Sequence, residues 1–105
     1  MLTPKQQHVY TFLSKFNIRG GSYRTPLFVL YFEYVQHTRR QNIKGLVSPI
    51  EFGRRMSLYF EKGKSGRYAY YLTSFEPPSK DRRRYLKLWY NRRWARMRNG
   101  KKTKR

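Results

Sequence analysis

The sequence has no cysteine, only two histidines and only five acidic residues. The lack of cysteine excludes disulfides, thiolate nucleophiles and zinc-finger ligands. His8 and His37 are far apart in the sequence, and neither is near a serine or an aspartate, so no nucleophile, general base or metal cage is assembled. We therefore expect a protein that is not an enzyme, with no catalytic residues and no metal, cofactor or small-molecule substrate.

Long apolar runs are also missing. The N-terminus lacks the apolar segment of a signal peptide, and no stretch approaches the roughly 20 apolar residues that a membrane-spanning helix needs. We expect an intracellular protein of the cytoplasm, the nucleoid or a virus-infected host cell, not a secreted one. We do not expect a membrane to be its main partner.

What the sequence does contain is positive charge and aromatic side chains. Its 105 residues, enough for one small domain, include 25 Lys and Arg, and the formal net charge is +20. A charge this large exceeds what solubility favours and indicates a polyanionic partner. Ten Tyr, seven Phe and two Trp provide large side chains from which a core can be built.

Three pairs of a hydroxyl residue and a proline predict three helix starts. In Thr3-Pro4, Thr25-Pro26 and Ser48-Pro49, the hydroxyl can cap the helix and the proline can take the first helical position. Glu51 completes a capping box at the third start, and Gly20-Gly21 predicts a turn after the first helix. Helical spacing supports the second start through the apolar residues Leu27, Leu30, Tyr31, Tyr34 and Val35.

The third helix carries the first candidate binding residues. On its outer side we expect Gly53, Arg54 and Ser57, with Arg55 at the flank. In a chain with this net charge, we interpret Arg54, Arg55 and Ser57 as nucleic-acid contacts rather than as solvated surface residues. The residues expected to face inward are Ile50, Phe52 and Met56.

Beyond the third helix the pattern changes to that of a β-hairpin. Two aromatic-rich runs flank the glycine-containing turn KGKSG, and aromatic residues alternate with other residues after it. Lys62, Lys64 and Arg67 lie at or beside this tip, and we expect them to contact phosphates. The three tyrosines of the YAYY run can stack on single-stranded bases, although half-buried sheet packing is the more common role of such tyrosines.

The C-terminal part predicts a basic helix followed by a tail. Pro77-Pro78 end the hairpin region, and Ser79 can cap a helix over 80–98. The tail has no apolar residue and is expected to be disordered when unbound. The predicted organisation is therefore a winged-helix domain over 1–76, a basic aromatic helix over 77–98 and a tail over 99–105.

The charges of this C-terminal part allow two interpretations. Its apolar and aromatic residues can pack on the domain while the basic residues face phosphates, or they can enter a lipid interface. We favour phosphate contacts, which add salt-dependent affinity without reading sequence. The expected contacts are Arg82, Arg83, Arg84, Lys87, Arg92, Arg93, Arg96, Lys101 and Lys102.

The element order, three helices followed by a basic hairpin, is that of a winged helix-turn-helix. In that arrangement the third helix lies in the major groove, and the hairpin, called the wing, reaches the adjacent backbone or minor groove. We therefore predict a mostly helical fold with a small β-hairpin, a winged helix-turn-helix with an extra basic C-terminal helix.

Between residues 25 and 72 the chain also resembles a known family. The segments LFVLYFEYV, SPIEFGRRM and EKGKSGRYAYYL resemble the winged-helix DNA-binding module at the C-terminal end of phage- and plasmid-type primase-helicases related to the poxvirus enzyme. The chain differs from those enzymes in lacking a glycine-rich phosphate loop and a carboxylate cluster for magnesium. The resemblance implies a free-standing DNA-binding module associated with viruses or mobile elements.

Our main prediction is a non-enzymatic protein that binds duplex DNA in viral or mobile-element replication, transcription control or DNA packaging. The first alternative is an RNA-binding protein of the ribosome-associated type, because small basic chains with lysine-rich tails are common there. The second is a basic adaptor that grips an acidic protein partner. The sequence gives neither the target site nor the oligomeric state.

Overall fold

The fold is mostly helical, with a small three-stranded antiparallel sheet. The computed structural model describes residues 4–43, 46–66 and 68–102. In chain order the elements are α1 (Pro4–Lys15), β1 (Gly20–Pro26), α2 (Leu27–Arg40), α3 (Pro49–Tyr59), β2 (Lys62–Ser65), β3 (Tyr68–Thr73) and α4 (Lys80–Lys102). Strand β3 lies in the middle of the sheet, between β1 and β2.

All four helices contribute to one buried core. Tyr34 of α2 and Phe52 of α3 are fully buried, and their ring centroids lie 5.0 Å apart. Phe12 of α1 packs against both of these rings. From α4, Leu86 and Tyr90 are buried in the same core. The C-terminal helix is therefore packed on the rest of the chain, as one of the two sequence interpretations requires.

Two tyrosine hydroxyls of α2 hold the connection between α2 and α3. The Tyr31 hydroxyl donates to the carbonyl oxygen of Val47 at 2.9 Å, and the N–H of Val47 donates to the Tyr34 hydroxyl at 3.1 Å. Both backbone polar groups of this buried residue are thereby satisfied. Ser48 follows directly and caps α3, as predicted, by accepting a 3.1 Å hydrogen bond from the N–H of Glu51. These contacts fix the start of α3 relative to α2.

Two residues after the last residue of α1 and of α2, an asparagine adopts the left-handed conformation. The φ angles are 53° at Asn17 and 55° at Asn42. After α1, the N–H of Ile18 donates to the carbonyl oxygen of Leu13 at 2.9 Å, as in a Schellman motif. Asparagine, rather than the glycine pair, therefore ends the first helix. The predicted cap at Thr3 lies outside the described residues.

The first strand corrects two predictions. Gly20-Gly21 does not turn the chain but begins β1, which pairs with β3. Thr25 does not cap α2, because its buried hydroxyl donates to the carbonyl oxygen of Phe75 at 2.7 Å and lies 2.8 Å from the Thr73 hydroxyl. Pro26 takes the N-cap position without a side-chain hydrogen bond. The Thr25 hydroxyl is thus used for buried hydrogen bonds to distant residues and does not cap α2.

The hairpin is shifted relative to the prediction. Because α3 continues to Tyr59, the segment Lys62–Ser65, expected to be the turn, forms strand β2. The turn includes Gly66, whose φ of 63° is in the left-handed region that glycine adopts easily. Lys62 and Lys64 therefore lie along an edge strand rather than at the tip.

Helix α4 begins as predicted and ends later. Ser79 accepts a 3.3 Å hydrogen bond from the N–H of Arg82. The helix continues to Lys102, beyond the predicted end at residue 98, and it passes through Asn99 and Gly100, which are poor helix formers. No proline interrupts the segment. The first part of the predicted tail is therefore helical, and residues 103–105 lie outside the described part of the chain.

Candidate nucleic-acid interface

The outer side of α3 carries the predicted contact residues, with one error about its inner side. Arg54 and Ser57 are exposed and Arg55 is half-buried. Ile50, predicted to face inward, is 51% exposed. It lies beside the buried stripe of the helix, whose residues are spaced three and four apart. This stripe consists of Pro49, Phe52 and Met56.

A tyrosine from the hairpin holds α3 in place. The hydroxyl of Tyr71, on β3, donates to the carbonyl oxygen of Gly53 at 3.0 Å. The Ser57 hydroxyl donates to the same carbonyl at 3.0 Å and lies 3.4 Å from the Tyr71 hydroxyl. Burial raises the pKa of Tyr71, so its hydroxyl keeps the proton that it donates. Ser57 is thus part of the link between helix and hairpin as well as a surface residue.

A groove lies between α3, β2 and α4, and we call it the α3–β2 groove. Helix α3 contributes Arg54 and Ser57, strand β2 contributes Lys62, and α4 contributes Tyr90 and Trp94. None of the residues that line the groove is acidic. The structure therefore brings together predicted contact residues from the third helix and from the hairpin.

The other predicted hairpin residues lie further along the chain. Lys64 is exposed and lies two positions after Lys62, so both side chains leave the same face of β2. Both lysines also line a neighbouring cavity together with Trp94. Arg67 lies outside the described residues. The lysines therefore continue the positive surface of the α3–β2 groove along the hairpin.

Several predicted contacts on α4 are oriented by other groups of the protein. The Cζ atom of Arg82 lies 5.2 Å from the centroid of the Phe32 ring, and that of Arg93 lies 5.6 Å from the centroid of the Tyr31 ring. Arg83 donates to a backbone carbonyl at 3.2 Å. The predicted contacts on α4 that are exposed are Arg82, Arg84, Lys87, Arg92 and Arg96. The side chains of Lys101 and Lys102 lie outside the described residues.

A second basic cleft lies between β1, β3 and the first half of α4, and we call it the β1–α4 cleft. The predicted contacts Arg83, Arg84 and Lys87 line it together with Arg24 and Lys80. Sequence reasoning missed Arg24 because it did not find β1, and no local pattern distinguishes this arginine from a solvated one. Lys80 is the first residue of α4 and could have been included with its neighbours.

In comparisons with protein-family models, curated proteins and solved structures, no match to this chain was found. The resemblance to the primase-helicase module therefore stays a prediction. Within the described ranges, no helix is long and apolar enough to cross a membrane. No group of three or more His, Asp or Glu is placed there to hold a metal ion.

Proposed function

We propose that this protein binds duplex DNA without catalysing a reaction, as a winged helix-turn-helix. In this proposal α3 enters the major groove and the β2–β3 hairpin is the wing. Helix α4 is an addition that packs against α2 and the hairpin. A role in viral or mobile-element replication, transcription control or DNA packaging belongs to the same proposal.

The α3–β2 groove is the observation that carries the proposal. It joins Arg54, exposed on a helix, to Lys62 on the adjacent strand, and no acidic residue lines it. An arginine on a helix can reach the acceptor atoms of guanine in the major groove, and a neighbouring lysine can neutralise a phosphate. The hydrogen bond from Tyr71 to Gly53 ties the helix to the strand, which favours a pre-organised contact surface.

The proposed contacts are of two kinds. Arg54 and Arg55 contact base edges and provide sequence preference. Lys62, Lys64 and the exposed basic residues of α4 contact phosphates, which adds affinity that falls as the salt concentration rises. So large a positive charge predicts a high proportion of sequence-independent binding.

The test compares two arginine pairs. The double variant Arg54→Ala and Arg55→Ala changes the pair on α3. The double variant Arg39→Ala and Arg40→Ala changes an exposed adjacent pair at the end of α2, and it is the charge-matched control. A duplex that the wild-type protein prefers is first selected from a random library, and dissociation constants are then measured for this duplex and for a scrambled one.

We expect the α3 variant to bind the selected duplex at least about tenfold more weakly than the wild-type protein does. It should also lose the preference for the selected duplex over the scrambled one, because a base contact adds about 1–3 kcal/mol of discrimination. The α2 variant should weaken both duplexes by the same small factor. Equal behaviour of the two variants on both duplexes would contradict the assignment of α3 as the reading helix.

A further inference from the structure

We propose that the β1–α4 cleft is a second nucleic-acid site, which binds a short single-stranded segment. This site is distinct from the α3–β2 groove and takes a different form of the polymer. It shares Arg84 and Lys87 with the proposed phosphate contacts of α4, but variants on α3 and variants in the cleft test the two proposals separately.

The first argument is charge. The cleft gathers five cationic side chains from two elements, and none of its lining residues is acidic. Like charges held this close repel one another, so a polyanion in the cleft relieves an unfavourable arrangement. These side chains are Arg24 of β1 and Lys80, Arg83, Arg84 and Lys87 of α4.

The second argument is the aromatic wall. Tyr68 and Tyr70 of β3 line the same cleft, and both are half-buried. The Lys87 Nζ lies 5.1 Å from the centroid of the Tyr68 ring, and the Arg24 Cζ lies 5.5 Å from the centroid of the Tyr70 ring. Positive groups next to aromatic faces are the combination with which proteins hold single strands, because bases stack on the rings while phosphates meet the charges.

The third argument is size. The cleft has a volume of about 470 Å³. Ligand sites of about 300–1,000 Å³ accommodate molecules of roughly the size of one or two nucleotides. A cleft of this volume, with a sheet on one side and a helix on the other, holds a short piece of one strand, and this favours a single-stranded segment as its ligand.

The sheet register separates this cleft from the α3–β2 groove. On β3, Tyr70 pairs with Gly63 and Tyr71 pairs with Lys62. Because successive residues of a strand point to opposite faces, Tyr70 lies on the cleft side and Tyr71 on the α3 side. Gly63 leaves the space over which the Tyr70 ring lies. At these two positions the basic surfaces use opposite faces of β3, and they meet at Ala69, which lines both.

The experiment measures binding of a fluorescent oligothymidine of about 12 nucleotides, a length within the range that single-strand sites occupy. The double variant Arg84→Ala and Lys87→Ala removes two exposed charges from the cleft. The double variant Arg92→Ala and Arg96→Ala removes two exposed charges from the same helix outside the cleft residues and is the control. Arg24→Ala tests the opposite wall independently, and thermal unfolding confirms that each variant is folded.

We expect the cleft variant and Arg24→Ala to lower affinity for the oligonucleotide about tenfold more than the control does, because they remove contacts to the bound strand as well as charge. The α3 variant Arg54→Ala and Arg55→Ala should keep wild-type affinity for the oligonucleotide to within about threefold. That last measurement separates a failure of this proposal from a failure of the duplex-binding one. The proposal is overturned if the cleft and control variants lose affinity equally.

A second probe tests the aromatic wall. Tyr70→Leu should weaken binding of oligothymidine by about fivefold or more and leave binding of an abasic strand of the same length unchanged, because only bases stack on the ring. If the abasic strand binds wild-type protein as tightly as oligothymidine, the cleft binds phosphate alone and the single-strand site as proposed is wrong.

Discussion

The hydroxyl of Tyr71 donates a 3.0 Å hydrogen bond to the main-chain carbonyl oxygen of Gly53, and this contact joins the hairpin to α3. In the sheet, Tyr71 is paired with Lys62 on β2 and with Thr25 on β1. Tyr71, one buried residue of the central strand, therefore connects all three strands to α3, the helix that we propose reads DNA. The relative position of Arg54 and Lys62 depends on this connection.

Replacing this tyrosine by phenylalanine tests the connection. Tyr71→Phe keeps the buried ring and removes the hydroxyl, so we expect the free energy of unfolding to fall by about 1 kcal/mol. Urea unfolding measures the change. Tyr10→Phe, at a position 53% exposed, is the control and should change the free energy of unfolding by less than about 0.5 kcal/mol. A loss for Tyr71→Phe no larger than that of the control would show that the hydrogen bond adds nothing.

Two glycines should respond to alanine in opposite directions. A Cβ at Gly53 would lie 3.6 Å from Leu27 Cδ2 and 3.7 Å from the Tyr71 hydroxyl, which is ordinary contact. Gly53→Ala should therefore stabilise the protein by about 0.5–1 kcal/mol, since alanine favours helix. A Cβ at Gly63 would collide with the Tyr70 ring, so Gly63→Ala should destabilise it. Thermal unfolding of both variants checks the sign of each change, and destabilisation by Gly53→Ala would contradict this packing of α3.

Helix α4 should be required for stability and not only for charge. Leu86 is 1% exposed in the common core, so Leu86→Ala should lower the free energy of unfolding by about 2–5 kcal/mol. Leu88→Ala is the control on the same helix, because Leu88 is 51% exposed. This variant should change the free energy of unfolding by less than about 0.5 kcal/mol. Chemical denaturation of the two variants measures the difference. Similar small effects would mean that α4 does not share the core.

The buried histidine should make stability depend on pH. His37 is 3% exposed, and its Nε2 has no hydrogen-bond partner among the residues that the structure describes. Burial lowers its pKa, and the positive charges of Lys15 and Arg40 lower it further. In the unfolded chain the pKa is about 6.5, so below that pH the unfolded state binds a proton that the folded state does not. The free energy of unfolding should then fall with decreasing pH, by at most about 1.4 kcal/mol per pH unit from this group.

Urea unfolding between about pH 8 and pH 5 measures this dependence, over the range in which a histidine titrates. His37→Leu removes the titrating group and should show a flatter profile than the wild-type protein below about pH 6.5. Parallel profiles for the two proteins would assign the acid sensitivity to other groups.

Elements with local signals could be predicted from the sequence. The cap at Ser48 and the cap at Ser79 need only a few neighbouring residues, and both were predicted correctly. Strand β1 could not be found in this way, because its partners are distant in the chain. Thr25 forms its hydrogen bond with Thr73, and its hydroxyl resembles a helix cap until that partner is known.

The same distinction applies to the two basic surfaces. The order of α3 and the hairpin indicated that Arg54 and Lys62 would be close, and both line the α3–β2 groove. The β1–α4 cleft depends on how α4 packs beside a strand that local patterns did not predict. Arg24 therefore could not be associated with Lys87 before the tertiary structure was known.

The most direct test of duplex DNA binding through α3 is a competition titration. A labelled duplex, selected for tight binding, is displaced by unlabelled duplex DNA, single-stranded DNA or structured RNA at about 0.15 M salt, because affinities for nucleic acids have meaning only at a stated salt concentration. We predict that duplex DNA competes best and that the Arg54→Ala and Arg55→Ala variant loses this preference. Competition by structured RNA about tenfold stronger than by duplex DNA would contradict the proposal.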